Sequence, residues 1–311
     1  MSRKKSDVDK LLLVTNLTHE DRGEDLYLAE RLGEYYGLTI ASPTAAVPLL
    51  AAQAVDGCLI RNAWPSRQFR AAFAAIESLT SLNRITTYNP LLPGRRGPVE
   101  NKAYLVELFK RGYPVIPSYQ GPAEMGAAGY PESQQVLAKP IDGCSSDGIV
   151  VMALADAQPA PGRLILQPKI DFLFEISFYF IDGHFAWAMR SGGPTMAERW
   201  KLTLYDANAA EVEWALIFVR WNRLPYGIQR IDVAKLPDGG MLLMEVEDSM
   251  PLLSLADLPV AVRDVATEAI VESVRQQVTT LRPSQLASRW RARPLAKLVA
   301  AIGGAAKPVI A

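Results

Sequence analysis

Ile228-Gln-Arg-Ile-Asp-Val-Ala-Lys-Leu-Pro-Asp-Gly-Gly-Met-Leu-Leu-Met-Glu-Val-Glu247 reads as a β-hairpin. Two largely apolar runs flank Pro237-Asp238-Gly239-Gly240, a four-residue loop whose glycines supply the positive φ a reversal needs. Centred on that loop, Asp232 lies opposite Glu245 and Arg230 opposite Glu247. Side chains alternate along a strand, so these four share one face, while Ile231, Val233, Met244 and Val246 share the other. Burial of the apolar face pins the register, because a one-residue slip exchanges the faces. Facing acids repel one another. Three carboxylates so placed need a compensating cation. Oxygen donors without His or Cys point to Mg2+, with Mn2+ compatible, rather than to zinc. A solvated acidic edge is the competing reading; the apolar far face and the neighbouring arginine count against it.

A second hairpin spans 175–190, with Asp182-Gly183 as its turn, a strong signal for a type I′ reversal. Counting from the turn, Phe180 faces Phe185, Phe178 faces Trp187, and Glu175 faces Arg190. An ordinary cross-strand ion pair accounts for the last of these equally well. Upstream, Asp142-Gly-Cys-Ser-Ser-Asp-Gly148 follows a strand that ends in Lys139-Pro140. Its small residues let backbone N–H groups approach an anion, and its serines add donors. It is neither a P-loop nor the Gly-x-Gly-x-x-Gly dinucleotide turn. With Lys102 and Lys139 before it and the carboxylates after it, a triphosphate with Mg2+ suits the set, since catalysis on that group needs its charge neutralised.

The rest of the chain divides by texture. Short apolar runs at 11–15, 38–41 and 58–61 alternate with helical patterns, the first at 24–36, and imply a small parallel sheet wound by helices. A Pro-, Gly- and Arg-rich linker at 89–98 follows, then a helix at 101–111 stopped by Gly112. From Val136 the pattern turns antiparallel, with strands at 136–139, 148–152 and 164–167, and a helix at 259–280 comes last. The 311 residues suggest two domains. Lys plus Arg equals Asp plus Glu at 33 each, which argues against a dedicated nucleic-acid binder. Residues from 281 onward carry six bases and no acid, so the first 280 hold 27 bases against 33 acids. Two cysteines give no disulfide framework, and the Met-Ser-Arg-Lys-Lys start does not continue as a signal peptide. No stretch spans a membrane, so a cytoplasmic protein is expected.

These elements, in this order, resemble the ATP-grasp superfamily, most closely its glutathione-synthetase-like and D-alanine–D-alanine-ligase-like branches. The resemblance covers 11–258. It implies an α/β (α+β) fold: an N-terminal small parallel α/β domain at 1–90, then an ATP-grasp domain at 91–281. Two α+β subdomains with antiparallel sheets, a lid at 115–165 and a second at 166–281, would grip ATP, and 282–311 would be a basic tail. By the resemblance, Lys102 and Lys139 contact ATP phosphates, and Ser145, Ser146 and Gly148 belong to the loop that closes over them. Leu166-Gln-Pro-Lys-Ile170 resembles the adenine-reading hinge, with Gln167, Lys169 and Ile170 at the base and Glu175 on the ribose. Arg230-Ile-Asp232 and Met244-Glu-Val-Glu247 resemble the closing motifs. Arg230 would stabilise developing charge, with Arg190 as helper, and Asp232, Glu245 and Glu247 would hold Mg2+. Many members have Asn where this chain has Glu247, which leaves the second metal position the more open one.

The resemblance implies an ATP-dependent carboxylate–amine ligase working through an acyl phosphate on an amino-acid-like or small-peptide substrate. A cyclising version, in which one molecule brings both groups, is compatible with the same residues. A small-molecule kinase on the same fold and a nucleotide-binding regulator without turnover are the alternatives. No Ser-His-Asp or Cys-His arrangement is present, and none is required. Substrate contacts are expected from Arg61 and Asn62 at the end of a strand, and from Arg199 and Lys201 after the Gly192-Gly193-Pro194 turn, each of which reads equally as a surface or capping charge. His184 follows a turn and reads as solvated, and His19 sits in a polar loop. The partners expected are the acid and amine substrates, with a homodimer compatible.

Overall fold

The computed structural model describes residues 9–278 except 19–21, 64–65, 92–101, 144–145, 147, 194, 196–197 and 199. The expected linker lies mostly outside these residues, and the basic tail wholly so. The chain begins with β1 (Lys10–Val14), α1 (Arg22–Gly33), β2 (Gly37–Ala41), α2 (Pro43–Ala51), β3 (Gly57–Ile60), α3 (Arg70–Asn83) and β4 (Thr86–Tyr88). The strands form a parallel sheet in the order β2-β1-β3-β4. Leu11 and Leu13 pack towards α1, while Leu12 and Val14 pack among residues of α2 and α3. A strand covered on both faces reads as a continuous apolar run, which is why 11–14 does not alternate.

Next come α4 (Tyr104–Lys110), α5 (Pro122–Ala127) and a three-stranded antiparallel sheet of β5 (Gln135–Pro140), β6 (Val150–Ala153) and β7 (Leu164–Pro168), ordered β6-β5-β7. α4 starts at Tyr104, one turn later than the sequence suggested, so Lys102 precedes it, and Gly112 ends it at φ +76°. The stretch 114–119 bridges at Val115 to Leu243 and at Tyr119 to Leu166, tying this sheet to the one after it.

That third sheet holds β8 (Phe174–Ile181), β9 (His184–Arg190), β10 (Thr203–Leu204), β11 (Ile228–Lys235) and β12 (Met241–Glu247), in the order β10-β9-β8-β11-β12. α6 (Ala209–Asn222), a helix beyond those the sequence pattern predicts, intervenes, opened by a capping box in which Asn208 and Glu211 satisfy each other's amides. α7 (Val260–Val278) closes the described chain. One face of the sheet, with Ile176, Phe178, Phe180, Ile231, Val233 and Leu243, is sealed against α4 and α6. The other is divided. Its Ile181, Trp187, Met189 and Ile228 pack on α7, and the remainder of that face is polar and borders a cleft. No helix among the described residues is long and apolar enough to cross a membrane.

Asn89, expected to open a linker, is buried instead: its side chain donates to the Asp248 carbonyl at 2.6 Å and accepts from the Ile228 amide at 2.7 Å. It pins the end of the parallel sheet to the β11–β12 hairpin.

Candidate active site

The cleft lies between the two antiparallel sheets. Lys102 and Lys139 line it from one side, together with Gly143, Ser146 and Ile149 of the β5–β6 connection. Glu175, Ser177 and Tyr179 of β8 and Arg230, Asp232, Glu245 and Glu247 of the β11–β12 hairpin line the other. The hairpin pairs Asp232 with Glu245 and Arg230 with Glu247, as read from the sequence. A bulge between Asp232 and Val233 sets Val233 opposite Leu243, so Met244 leaves the buried face and borders the cleft. That corrects the expected partner of Val233.

Arg230 anchors the acidic face. Its Nε and Nη2 donate to the two Asp232 oxygens at 2.9 and 2.8 Å, Nη2 also meets Glu247 at 2.9 Å, and Nη1 donates to the Leu252 carbonyl at 3.0 Å. Ser177 Oγ donates to Asp232 at 2.7 Å. Lys102, whose backbone amide is fixed on the Ile141 carbonyl, pairs through Nζ with Glu245. Burial pushes the Glu247 carboxyl up to about 8; Arg230 opposes this, and Asp232 and Glu245 reinforce it. Among the described residues, no three His, Cys, Asp or Glu side chains converge closely enough to hold a metal ion. The donor set, all oxygen and in excess over its paired bases, fits Mg2+ in its chemistry.

The loop before β6 is built for close approach. Gly148 has φ +74°, and a Cβ there would meet Pro140 at 2.9 Å, so glycine is required on both counts. Ser146 also adopts a left-handed φ of 63°. Asp142 is held by Arg67 at 2.9 Å and Arg70 at 3.0 Å, both on the N-terminal side of the molecule. Ser145 lies outside the described residues.

Other sequence expectations fare unevenly. Gln167 is buried and its Nε2 donates to Ser118 Oγ at 2.8 Å, while its Oε1 has no hydrogen-bond partner among the described residues. Gln167, Lys169 and Ile170 are not among the residues lining the cleft, and Lys169 is exposed. Glu175 lines it, but not opposite Arg190. A bulge between Tyr179 and Phe180 puts Phe178 opposite Ala188 and Ile176 opposite Arg190. Arg190 thereby moves to the far face, its guanidinium 4.4 Å over the Phe174 ring, which removes it from the helper role expected of it.

Arg61 and Asn62 do stand at the end of β3, yet they turn inward. Arg61 is 1% exposed and bonds Glu24 at 2.7 Å, Asp25 at 3.2 Å and the Pro251 carbonyl at 2.8 Å; Asn62 donates to Glu24 and Asp25. Neither is a substrate contact in this arrangement. Lys201 is exposed, between Trp200 and Leu202, which do line the cleft. Arg199 and His19 lie outside the described residues, and His184 is exposed, as expected. Sequence reasoning missed Ser177, Tyr179 and Ser254. The first two were legible, being two and four positions beyond Glu175 on one strand face.

No protein-family model matches the chain. It is 27% identical over 235 residues, 64% of this chain and 77% of the other, to the cycloserine biosynthesis protein DcsG of Streptomyces lavendulae. Its fold is similar to the crystal structure of D-cycloserine synthetase DcsG, with a TM-score of 0.64 and 22% identity over 84% of this chain and 98% of that one. It is also similar to the ATP-grasp ligase PsnB complexed with minimal precursor (0.60, 13%, 86% and 99%). The ATP complex of D-alanine–D-alanine ligase from Bacillus anthracis follows (0.58, 13%, 85% and 97%). The mixed architecture, one parallel and two antiparallel sheets with a lysine- and carboxylate-lined cleft, is the fold of these ligase structures, and the sequence is similar to that of a cycloserine biosynthesis protein.

Proposed function

We propose that the protein uses ATP to activate a carboxylate and joins it to an amine, on an amino-acid-like or small-peptide substrate. The observation that carries this reading is the opposition of two buried lysines, Lys102 and Lys139, to one face of the β11–β12 hairpin bearing Arg230, Asp232, Glu245 and Glu247. The similarity to a cycloserine biosynthesis protein and to ligases of amino acids and precursor peptides supports the same class.

Lys102 and Lys139 neutralise phosphate oxygens, and Glu175, which lines the same cleft, accepts from a ribose hydroxyl. Asp232, Glu245 and Glu247 would hold Mg2+, which when bound offsets the charge of the β- and γ-phosphates. A substrate carboxylate oxygen then attacks the γ-phosphorus as the bond to the bridging oxygen breaks, and ADP leaves with that electron pair. Arg230 stabilises charge on the transferring group and on the carbonyl when the amine displaces phosphate. The β5–β6 loop excludes water, which otherwise hydrolyses the acyl phosphate. Ring closure within one molecule uses the same residues.

Incubation with Mg-ATP, an amino-acid pool and hydroxylamine tests the reading. Substrate-dependent hydroxamate with free phosphate is expected. A stable phosphorylated product instead makes the protein a kinase, and tight ATP binding with neither product makes it a regulator.

A further inference from the structure

The segment 251–255 follows β12 and supplies one wall of the cleft through Leu252 and Ser254. It belongs to no strand, yet its backbone is held at four points. The Pro251 carbonyl accepts from Arg61 Nη1 at 2.8 Å, and the Leu252 carbonyl from Arg230 Nη1 at 3.0 Å. The Leu253 amide donates to both Glu24 oxygens at 2.9 and 3.1 Å, and the Leu255 amide reaches Glu24 Oε2 at 3.4 Å. Between those two amides, Ser254 turns through a left-handed φ of 55°, and its hydroxyl meets the Tyr179 hydroxyl at 3.2 Å. One side of the segment therefore faces the cleft, and the other is fastened to a carboxylate and a guanidinium that are both sealed from solvent.

Burying such a pair gains little stability by itself, because desolvation offsets the attraction. Its geometry does something else. Glu24 and Arg61 both grip the segment and grip each other at 2.7 Å, so the Leu252 carbonyl has a fixed position. That carbonyl takes the one Arg230 hydrogen-bonding nitrogen not engaged by Asp232 or Glu247. A donor that must meet developing charge is worth most when it cannot reorient.

We propose that Glu24 and Arg61 are positioning residues: through 251–255 they hold Arg230 and Ser254 in place, and turnover depends on them although neither reaches the cleft. The role in turnover rests on the ligase reading above. The hold on the segment does not.

Three variants test it: Glu24→Gln, Arg61→Lys, and the double change Glu24→Gln with Arg61→Gln, which removes both charges together. Lysine keeps the charge of Arg61 but lacks the fork that reaches Glu24 and the Pro251 carbonyl at once. Hydrogen exchange at the Leu253 and Leu255 amides should accelerate by at least about tenfold, with β11 amides unchanged, since two of the variants remove the charged acceptor and the third removes the guanidinium that fixes it. Calorimetric affinity for Mg-ADP should stay within about twofold, while hydroxamate formation falls by about 100-fold with KM for ATP retained, the scale expected for an ångström of misplacement. Unchanged exchange at those amides overturns the proposal, as does Mg-ADP affinity that falls in step with turnover. Loss of the fold in all three variants also overturns it, because the pair would then be an element of stability only. If the wild-type protein makes no hydroxamate, the ligase reading fails by itself, and the exchange and Mg-ADP measurements still decide whether the pair holds the segment.

Discussion

Two arginines, each held between two carboxylates, stand on either side of segment 251–255. Arg230 lies between Asp232 and Glu247 with its side chain 14% exposed on the cleft; Arg61 lies between Glu24 and Asp25 with 1% exposed. Both also bond a backbone carbonyl of the segment. The chemistry is the same and the setting differs. Around Arg230 there is a third acid, Glu245, and two lysines, so a cation from solution has a place to enter and a polyanion has something to meet. Around Arg61 the network is closed by Thr15, Asn62 and the amides of Leu253 and Leu255. A buried charged cluster thus marks a site where it opens on a cavity that a ligand can enter.

The largest effect expected of any single change comes from Glu245→Gln, which removes a carboxylate from the open cluster. Hydroxamate formation should fall by about a thousandfold or more, with the circular dichroism of the fold unaltered. Retained turnover would sink the assignment of this face to the metal.

Next in size, replacing either arginine by Gln strands two buried acids, at a cost of about 3–5 kcal/mol in urea unfolding. The two sites then part company. Mg2+ should restore much of the loss in Arg230→Gln, because the cation can reach Asp232 and Glu247. It should restore none in Arg61→Gln. Equal rescue in both would erase the distinction between an open and a sealed cluster.

A pH effect comes third. Burial lifts the Asp25 carboxyl to about 6, against the pull of Arg61 and Thr15. The folded state therefore keeps a proton that the unfolded chain has released, and stability falls as pH rises from about 4 to 6. The full shift amounts to about 3 kcal/mol. The difference in unfolding free energy between wild type and Asp25→Asn, followed across that window, should carry this slope; a flat difference would contradict the shift. The smallest effects belong to Arg67→Ala and Arg70→Ala. Their pairs with Asp142 are solvent-exposed, and each should cost less than about 1 kcal/mol in a double-mutant cycle.

The fold was legible because its signals are local and repeated: the continuous apolar run at 11–14, the Asp-Gly turn of β8–β9, and the alternation along β11 and β12. α6 carried a signal too, Asn208 three residues before Glu211, and it was overlooked. The bulges were not legible, since an extra residue leaves no mark in a hydrophobic pattern. In β8–β9 a bulge lies between the turn and Arg190, so counting from the turn puts that side chain on the wrong face. In β11–β12 the loop is one residue longer than read, with Lys235 paired to Met241, and the bulge beyond Asp232 restores the count. The acidic face was read correctly because those two errors cancel. Arg61 was placed at the right end of the right strand, but its partners are 36 and 37 residues earlier in the chain, and no pattern connects them.

The central claim is that this cleft makes an acyl phosphate, and isotope transfer tests it most directly. The protein is given Mg-ATP, an amino-acid pool labelled with oxygen-18 in its carboxyl groups, and hydroxylamine, and the phosphate released is weighed by mass spectrometry. If a substrate carboxylate attacks the γ-phosphorus, one labelled oxygen leaves with each phosphate. Phosphate released at the same rate without label would contradict the account.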